Sequence, residues 1–502
     1  MRISTWQRNV GDGVRHSITT IKHSSSEGVS RQLITMCKEY LGINDLVEAV
    51  NRGDRLGLLH DPTAPAGNLN NAIHPLFHDS CFLEQSLHLK QMLQLASLFL
   101  QYDSLLEFFI PLSYGRTHVD DATGKKYLTN PVASKSGAEL KKCIAGVRQA
   151  LHCLEHCVVF RWSKPKADSL RLWARTTLYP ARRSEHTAEC STSFAYKNCV
   201  LIEMNEALLR FYKDEKSGYR ESSRCAQFRH DWQTAVSIVH EIVHAYGAMH
   251  RGNLSEPHIR CDHPDKAEWG YAWENFMFGG IINPQDRLQA GTHIQLRKIW
   301  ADPEQEKKGD GKEYSAISMS WLAQWFQRKT WDKIKTEGPL AIAPPTIHVK
   351  FFLSCEHRRW VVMTDVPETQ RDIQELQDKY AQLCANNLTN GRQNTNREID
   401  VSRVIWMLVD SKRLQKSNVP IPVRVPPKII FSAGTGPPPK RLSVATARYS
   451  ASNNGSVGST TVTVTSSVKS TPSCSTRSKR ARDDGAVDAK PPRKVVKRIT
   501  SR

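Results

Sequence analysis

The stretch whose reading decides the fold is His240-Glu-Ile-Val-His-Ala-Tyr-Gly-Ala-Met-His250. In an α-helix, residues four apart are separated by about 40° and one turn. His240 and His244 therefore aim their imidazoles at one point, which suits a zinc ion (Zn2+). Glu241 stands beside that point, where it can take a proton from a metal-activated water. The flanking sequence, Thr234-Ala-Val-Ser-Ile-Val-His-Glu-Ile-Val-His-Ala-Tyr246, is apolar on nearly every face, as in a buried helix. Two imidazoles and a carboxylate are costly to bury unless something satisfies them. A metal satisfies all three; the competing explanation is a structural hydrogen-bond network. Asp231 or Thr234 is expected to cap the helix, and Gly247 to end it in a left-handed conformation.

His-Glu-x-x-His is the zinc-binding pattern of metallopeptidases, so the chemistry implied is hydrolysis of a peptide or protein substrate. Such a site needs a third protein ligand and one open position. Four residues qualify. His250 completes His-Glu-x-x-His-x-x-Gly-x-x-His, the metzincin pattern. Glu268 and Glu274 lie on a second expected helix, which Pro264 and Asp265 would start and Gly279-Gly280 would stop. They are six residues apart, about 240° around a helix, so only one can face the metal. His258 follows His244 by fourteen residues.

Ala267-Glu-Trp-Gly-Tyr-Ala-Trp-Glu-Asn-Phe-Met-Phe-Gly-Gly280, placed after such a helix, resembles a group of uncharacterised fungal zincin-like proteins of the gluzincin type. Their pattern pairs the motif helix with Ala-Glu-x-Gly-x-x-x-Glu and a closing Phe-Gly-Gly. The resemblance spans roughly residues 195–338 and extends weakly to Ile317–Phe326 and Trp331. It implies that a glutamate completes the site. The Glu-x-Gly context, similar to the ligand glutamate of gluzincin aminopeptidases, favours Glu268 over Glu274. His-Glu-Ile-Val-His-Ala-Tyr also faintly resembles SprT-type proteases, which act on protein crosslinked to DNA and use a downstream histidine, near where His258 lies. Tyr246, Tyr271, His258 and His263 are the candidates for stabilising an oxyanion.

The chain has 502 residues and a formal net charge of +20. Lys440–Arg502 holds 14 Lys/Arg and 3 Asp, or +11, so 20 − 11 leaves only +9 for the rest. Two basic clusters between Arg477 and Arg498 resemble a bipartite nuclear-import signal, which an import receptor would read. The alternative is a nucleic-acid tether, binding phosphates without sequence preference. No apolar run of about twenty residues is present, so no membrane span is expected. The N-terminus lacks an apolar signal core, and twelve cysteines lie without framework spacing. An intracellular location, nuclear or cytoplasmic and not secreted, is therefore expected. His152, Cys153, His156 and Cys157 fall on one side of an expected helix. They read as ordinary helix residues, because four ligands within six residues of one helix close a tetrahedral site poorly.

The fold class expected is α+β: a zincin-like metallopeptidase core with a mostly helical N-terminal region and a disordered basic tail. The boundaries expected are a helical region over 1–137, the zincin-like domain over 138–340 and an α/β extension over 341–431. A Ser/Thr/Pro-rich linker and the tail occupy 432–502. Leu83–Phe109 is the strongest helical period, with Leu89–Leu112 reading as one amphipathic helix and Tyr114–Ser136 as polar loops. A helix over Ala138–His156 is followed by strands at Cys157–Trp162, Leu170–Leu178 and Asn198–Asn205, then a helix over Glu206–Lys213. Ala316–Lys335 reads as an aromatic-rich helix whose tryptophans pack a core. His348–Cys355 and Arg358–Met363 read as strands, Gln370–Cys384 as a helix. The functions consistent with all this are a zinc metallopeptidase, a nuclear SprT-like DNA-associated protease, and a catalytically inactive zincin-shaped scaffold.

Overall fold

A computed structural model describes residues 43–416, apart from 84–85, 133–135, 165–171, 187–189, 191, 193, 260–267, 285–292, 301–311, 355–358 and 390–404. The expected linker, basic clusters and His263 lie outside the described residues. The described helices of eight residues or more are α1 (Ile43–Val50), α2 (Lys90–Leu98), α3 (Gly137–Cys153), α4 (Glu206–Lys213), α5 (Arg224–Arg251), α6 (Trp269–Phe278), α7 (Arg328–Glu337) and α8 (Glu368–Thr389). The strands are β1 (Thr117–Val119), β2 (Lys126–Leu128), β3 (Val158–Ser163), β4 (Ala174–Arg183), β5 (Asn198–Asn205), β6 (Ile281–Pro284), β7 (Gln295–Trp300), β8 (Lys312–Ala316), β9 (Val349–Ser354), β10 (Arg359–Thr364) and β11 (Ile405–Leu408). The chain is α+β.

β1 and β2 form a hairpin within a stretch expected to be loop; β2 also bridges His258. The motif helix packs on a three-stranded sheet of order β3-β5-β4. β3 runs parallel to the central β5 and β4 antiparallel to it, which leaves β4 at an edge. Six strands in the order β11-β10-β9-β8-β7-β6 make the other sheet. One of its faces is covered by Leu46, Val47 and Val50 of α1 and Ile373 of α8.

Two long periodic runs are broken where the sequence suggested single helices. After α2 the chain turns, and Asp103–Tyr114 leaves at 72° to Leu87–Leu98. The break falls where Tyr102 takes an extended backbone (φ −91°, ψ 142°) to cap the next segment. Met92 to Leu98 are all buried, so α2 is a core helix, not an amphipathic one. No single helix among the described residues is long and apolar enough to cross a membrane. In the 316–335 stretch, Gln327 is extended (φ −110°, ψ 126°) and separates the short helix Met319–Ala323 from α7. Its aromatics do form core: Trp321, Trp325, Phe326 and Trp331 are buried, and Trp325 and Trp331 pack on Phe99.

α5 is longer than its sequence signals suggested. Ser223 caps it, accepting from the Ala226 N–H, and Gly252 closes it in the left-handed region at φ 78°. Gly247 lies inside the helix for a different reason. A Cβ there would stand 1.9 Å from the Trp269 ring, so only hydrogen fits. Alanine improves helix propensity by about 1 kcal/mol, whereas overpacking a fixed ring costs about 1–3 kcal/mol. Gly247→Ala is thus expected to lower stability by up to about 2 kcal/mol in urea unfolding; a raised midpoint would contradict this packing.

Asp231 is likewise no cap but a buried carboxyl two turns into α5. Gln91 donates to it at 2.8 Å, Tyr212 at 2.7 Å and Tyr219 at 2.6 Å. Burial lifts its pKa to about 7, against the pull of those three donors. A carboxyl whose folded pKa exceeds its unfolded value of about 4 keeps its proton longer in the native state. Its contribution is therefore fully present below about pH 4 and lost as pH rises to about 7, about 4 kcal/mol in all. Asp231→Asn removes that component. Its stability relative to the wild type should improve as pH rises from 4 to 7, and parallel pH profiles would refute the assignment.

Candidate metal centre

α5 carries His240, Glu241 and His244 on its face toward α6 and β4. Glu268 reaches the same point from the N-cap of α6, one residue before that helix begins. Its backbone is extended (φ −156°, ψ 115°), and its Oε2 accepts the Tyr271 N–H. The helix thus starts later than Asp265, and capping fixes the Glu268 carboxylate. The other oxygen, Oε1, faces both histidines: 3.1 Å from His240 Nε2 and 2.8 Å from His244 Nε2. Ligand atoms of all three residues lie within 4.8 Å of one another. Gly270 lets this happen, since a Cβ there would meet His240 Nε2 at 2.3 Å.

The back of each imidazole is held by a further carboxylate. His240 Nδ1 donates to Glu274 Oε1 at 2.7 Å, and His244 Nδ1 donates to Glu256 Oε1. Carboxylates only accept, so both Nδ1 atoms carry protons and both Nε2 lone pairs turn to Glu268. Glu274 also accepts the Ile282 N–H at 3.3 Å, and Glu256 the Trp269 N–H at 3.0 Å. Each backing carboxylate is thereby tied to another element.

Two imidazole lone pairs and a carboxylate oxygen facing one another require positive charge between them. Without a metal, protons supply it. Burial opposes charging His240, but Glu268 and then Glu274 outweigh it and raise its pKa to about 10. Burial likewise opposes His244, which Glu256 and Glu268 lift well above the usual imidazole value. Burial would raise Glu268, yet His240 and His244 hold it well below the usual carboxylate range. A divalent cation answers the same need. Zinc ligands bound at about 2.0–2.2 Å stand roughly 3.4 Å apart, so Glu268 Oε1, at 3.1 and 2.8 Å from the two Nε2 atoms, needs to draw back by only roughly 0.3–0.6 Å. Two imidazoles, one carboxylate and carboxylates behind both imidazoles are a donor set that fits zinc.

The remaining candidates lie elsewhere. Because α5 continues through Gly247, His250 emerges on another face, between Phe194 and Tyr246, and burial lowers its pKa to about 4. Glu274 stands behind His240, not beside Glu268 at the Nε2 atoms. His258 is paired through its backbone with β2, donating to Lys126 O at 2.9 Å and accepting from Leu128 N at 2.7 Å. Tyr246 is buried against Ser113, whereas the Tyr271 ring sits 5.0 Å from that of His240.

Two contributors were not legible beforehand. Thr176 on β4 has its hydroxyl 2.7 Å from Glu241 Oε2 and 3.0 Å from the Glu241 carbonyl, which fixes that carboxylate. Glu256 lies in the loop after α5, where the only signal was a carboxylate close in sequence to a metal-type histidine. Glu256→Gln and Glu274→Gln are each expected to weaken zinc binding by about 10–100-fold, measured by competition with a chromophoric chelator. Affinities within twofold of wild type would mean that these groups do not orient the imidazoles.

Compared with known protein families, curated proteins and solved structures, the chain gives no match.

Proposed function

We propose that this chain is a zinc-dependent metallopeptidase with a zincin-like core. The observation that supports it most is the carboxylate-backed histidine pair, whose Nε2 atoms converge with Glu268 one residue from a buried, threonine-held Glu241. A hydrogen-bond network alone has no need of a common focus for three ligand atoms. His240, His244 and Glu268 would hold the ion; zinc there would supply Lewis acidity, polarising the scissile carbonyl and making water more acidic. Glu241 takes the proton of the attacking water and returns it to the departing amine. Thr176 keeps the Glu241 carboxylate aimed, and Tyr271 lines the site beside His240. β4, an edge strand alongside the motif helix, offers backbone N–H and C=O groups to a substrate bound in extended form.

Purified protein is expected to carry zinc, to hydrolyse a mixed peptide library, to lose that activity to a chelator and to regain it with zinc. Zinc-loaded protein that leaves the library intact would instead favour the catalytically inactive scaffold. The basic tail favours a second reading, a nuclear DNA-associated protease of SprT-like type. DNA-stimulated cleavage is its signature, and cleavage indifferent to DNA counts against it. The carboxylate of Glu268 at the focus departs from the downstream histidine of that pattern.

A further inference from the structure

A second group of metal-ligating side chains stands apart from this centre. Ligand atoms of Cys153, His186 and Cys190 lie within 4.8 Å of one another. Cys153 ends α3, while His186 and Cys190 belong to the loop between β4 and β5. Cys157, four residues beyond Cys153, is fully buried. We propose that Cys153, His186 and Cys190 form a structural zinc site that staples the β4–β5 loop to the end of α3, with Cys157 as the candidate for the fourth position.

The orientation of His186 is the first argument. Its Nε2 hydrogen-bonds the Thr192 carbonyl oxygen, and a carbonyl only accepts, so Nε2 carries the proton. Nδ1 is then a bare lone pair, and it is buried with no hydrogen-bond partner. An unmet buried acceptor is costly, and a coordinated cation satisfies it. A ring nitrogen oriented by a backbone carbonyl on its far side is the arrangement metal-bound histidines adopt.

Spacing is the second argument. Cys153-x-x-x-Cys157 and His186-x-x-x-Cys190 are two short-spaced pairs from separate segments, as structural zinc sites require. His152 and His156 take no part: His152 packs against the His74 ring, and His156 pairs with Glu155. The helix alone closes a site poorly, as the sequence suggested, but the loop brings the missing ligands.

The loop sequence also lacks apolar bulk. Its ends are pinned by Ser184 N to Lys197 O at 3.2 Å, Glu185 N to His156 O at 3.1 Å and Tyr196 N to Met249 O at 3.0 Å. Phe194 is buried against His186 and His250. Between those anchors the sequence Thr187-Ala-Glu-Cys-Ser-Thr-Ser193 offers no large apolar side chain to bury. A metal supplies folding free energy where hydrophobic burial does not. A Cys153–Cys190 disulfide would also tie the loop, but it would leave His186 Nδ1 unmet.

Cobalt substitution of the full-length chain separates the two centres, because the histidine–glutamate centre contains no sulfur. The cobalt form is expected to show a thiolate-to-cobalt charge-transfer band in the near ultraviolet. Cys190→Ser and His186→Gln, both on the loop, should abolish or shift it, and His240→Ala should leave it intact. Zinc analysis should find one ion fewer per chain in Cys190→Ser, with the fold intact by circular dichroism. Three results would overturn the site: no such band, a band indifferent to Cys190→Ser, or a Cys153–Cys190 disulfide in non-reducing peptide maps. None of these readouts depends on peptidase activity.

Discussion

Replacing Glu241 by glutamine is expected to lower kcat/KM for peptide hydrolysis by roughly 10²–10⁴-fold while leaving zinc content unchanged. Glutamine keeps the size of glutamate, and its amide oxygen still accepts from Thr176, which lies 2.7 Å from Oε2 in the wild type. What it loses is the capacity to hold a proton. Since Glu241 is not among the three converging ligands, metal affinity has no reason to fall. His240→Ala differs in kind, because it removes a ligand and strands the Glu274 carboxylate behind it. The informative result is therefore the pair: zinc kept and activity lost in Glu241→Gln, both lost in His240→Ala. Hydrolysis undiminished in zinc-loaded Glu241→Gln would end the metallopeptidase reading. A wild type that binds zinc but cleaves nothing would leave the metal centre standing and remove the enzyme.

The sequence was most informative where one local rule governed. The helical spacing of His240 and His244 needs no tertiary knowledge, and neither do the strand at Asn198–Asn205 nor the helix at Glu206–Lys213. Rules that share a residue type were harder to separate. Glycine ends helices and also permits close approach, so Gly247 read as a terminator although Gly252 is the one with positive φ. Glu268 was placed on a helix because a proline and an aspartate suggested an earlier start, yet it is the cap itself. Thr176, Glu256 and His186 were illegible for another reason. Each works through a partner 65, 12 or 33 residues away, and nothing local marks a threonine on a strand as the neighbour of a glutamate on a helix.

The two glycines of the motif segments act as reciprocal notches between α5 and α6. Gly247 of α5 receives the Trp269 ring, and Gly270 of α6 receives the His240 imidazole. Together they set how closely the helices approach, and hence whether Glu268, at the start of α6, reaches both Nε2 atoms. Gly270→Ala tests this directly. Its Cβ would lie 2.3 Å from His240 Nε2, 2.4 Å from Cδ2 and 2.5 Å from Cε1, against the very edge of the ring that faces Glu268. The ring would have to swing aside, giving up the Glu274 hydrogen bond and the ligand position together. Losing the support of one backing carboxylate costs about 10–100-fold in metal affinity, so displacing the ligand itself should cost at least about 100-fold. Helix propensity moves the other way, alanine being better than glycine by about 1 kcal/mol. The expected variant is therefore folded, with wild-type circular dichroism, yet poor in zinc and inactive at ordinary zinc concentrations. Gly270→Ala protein that binds zinc as tightly as wild type would show that His240 is not held where Glu268 and His244 require it.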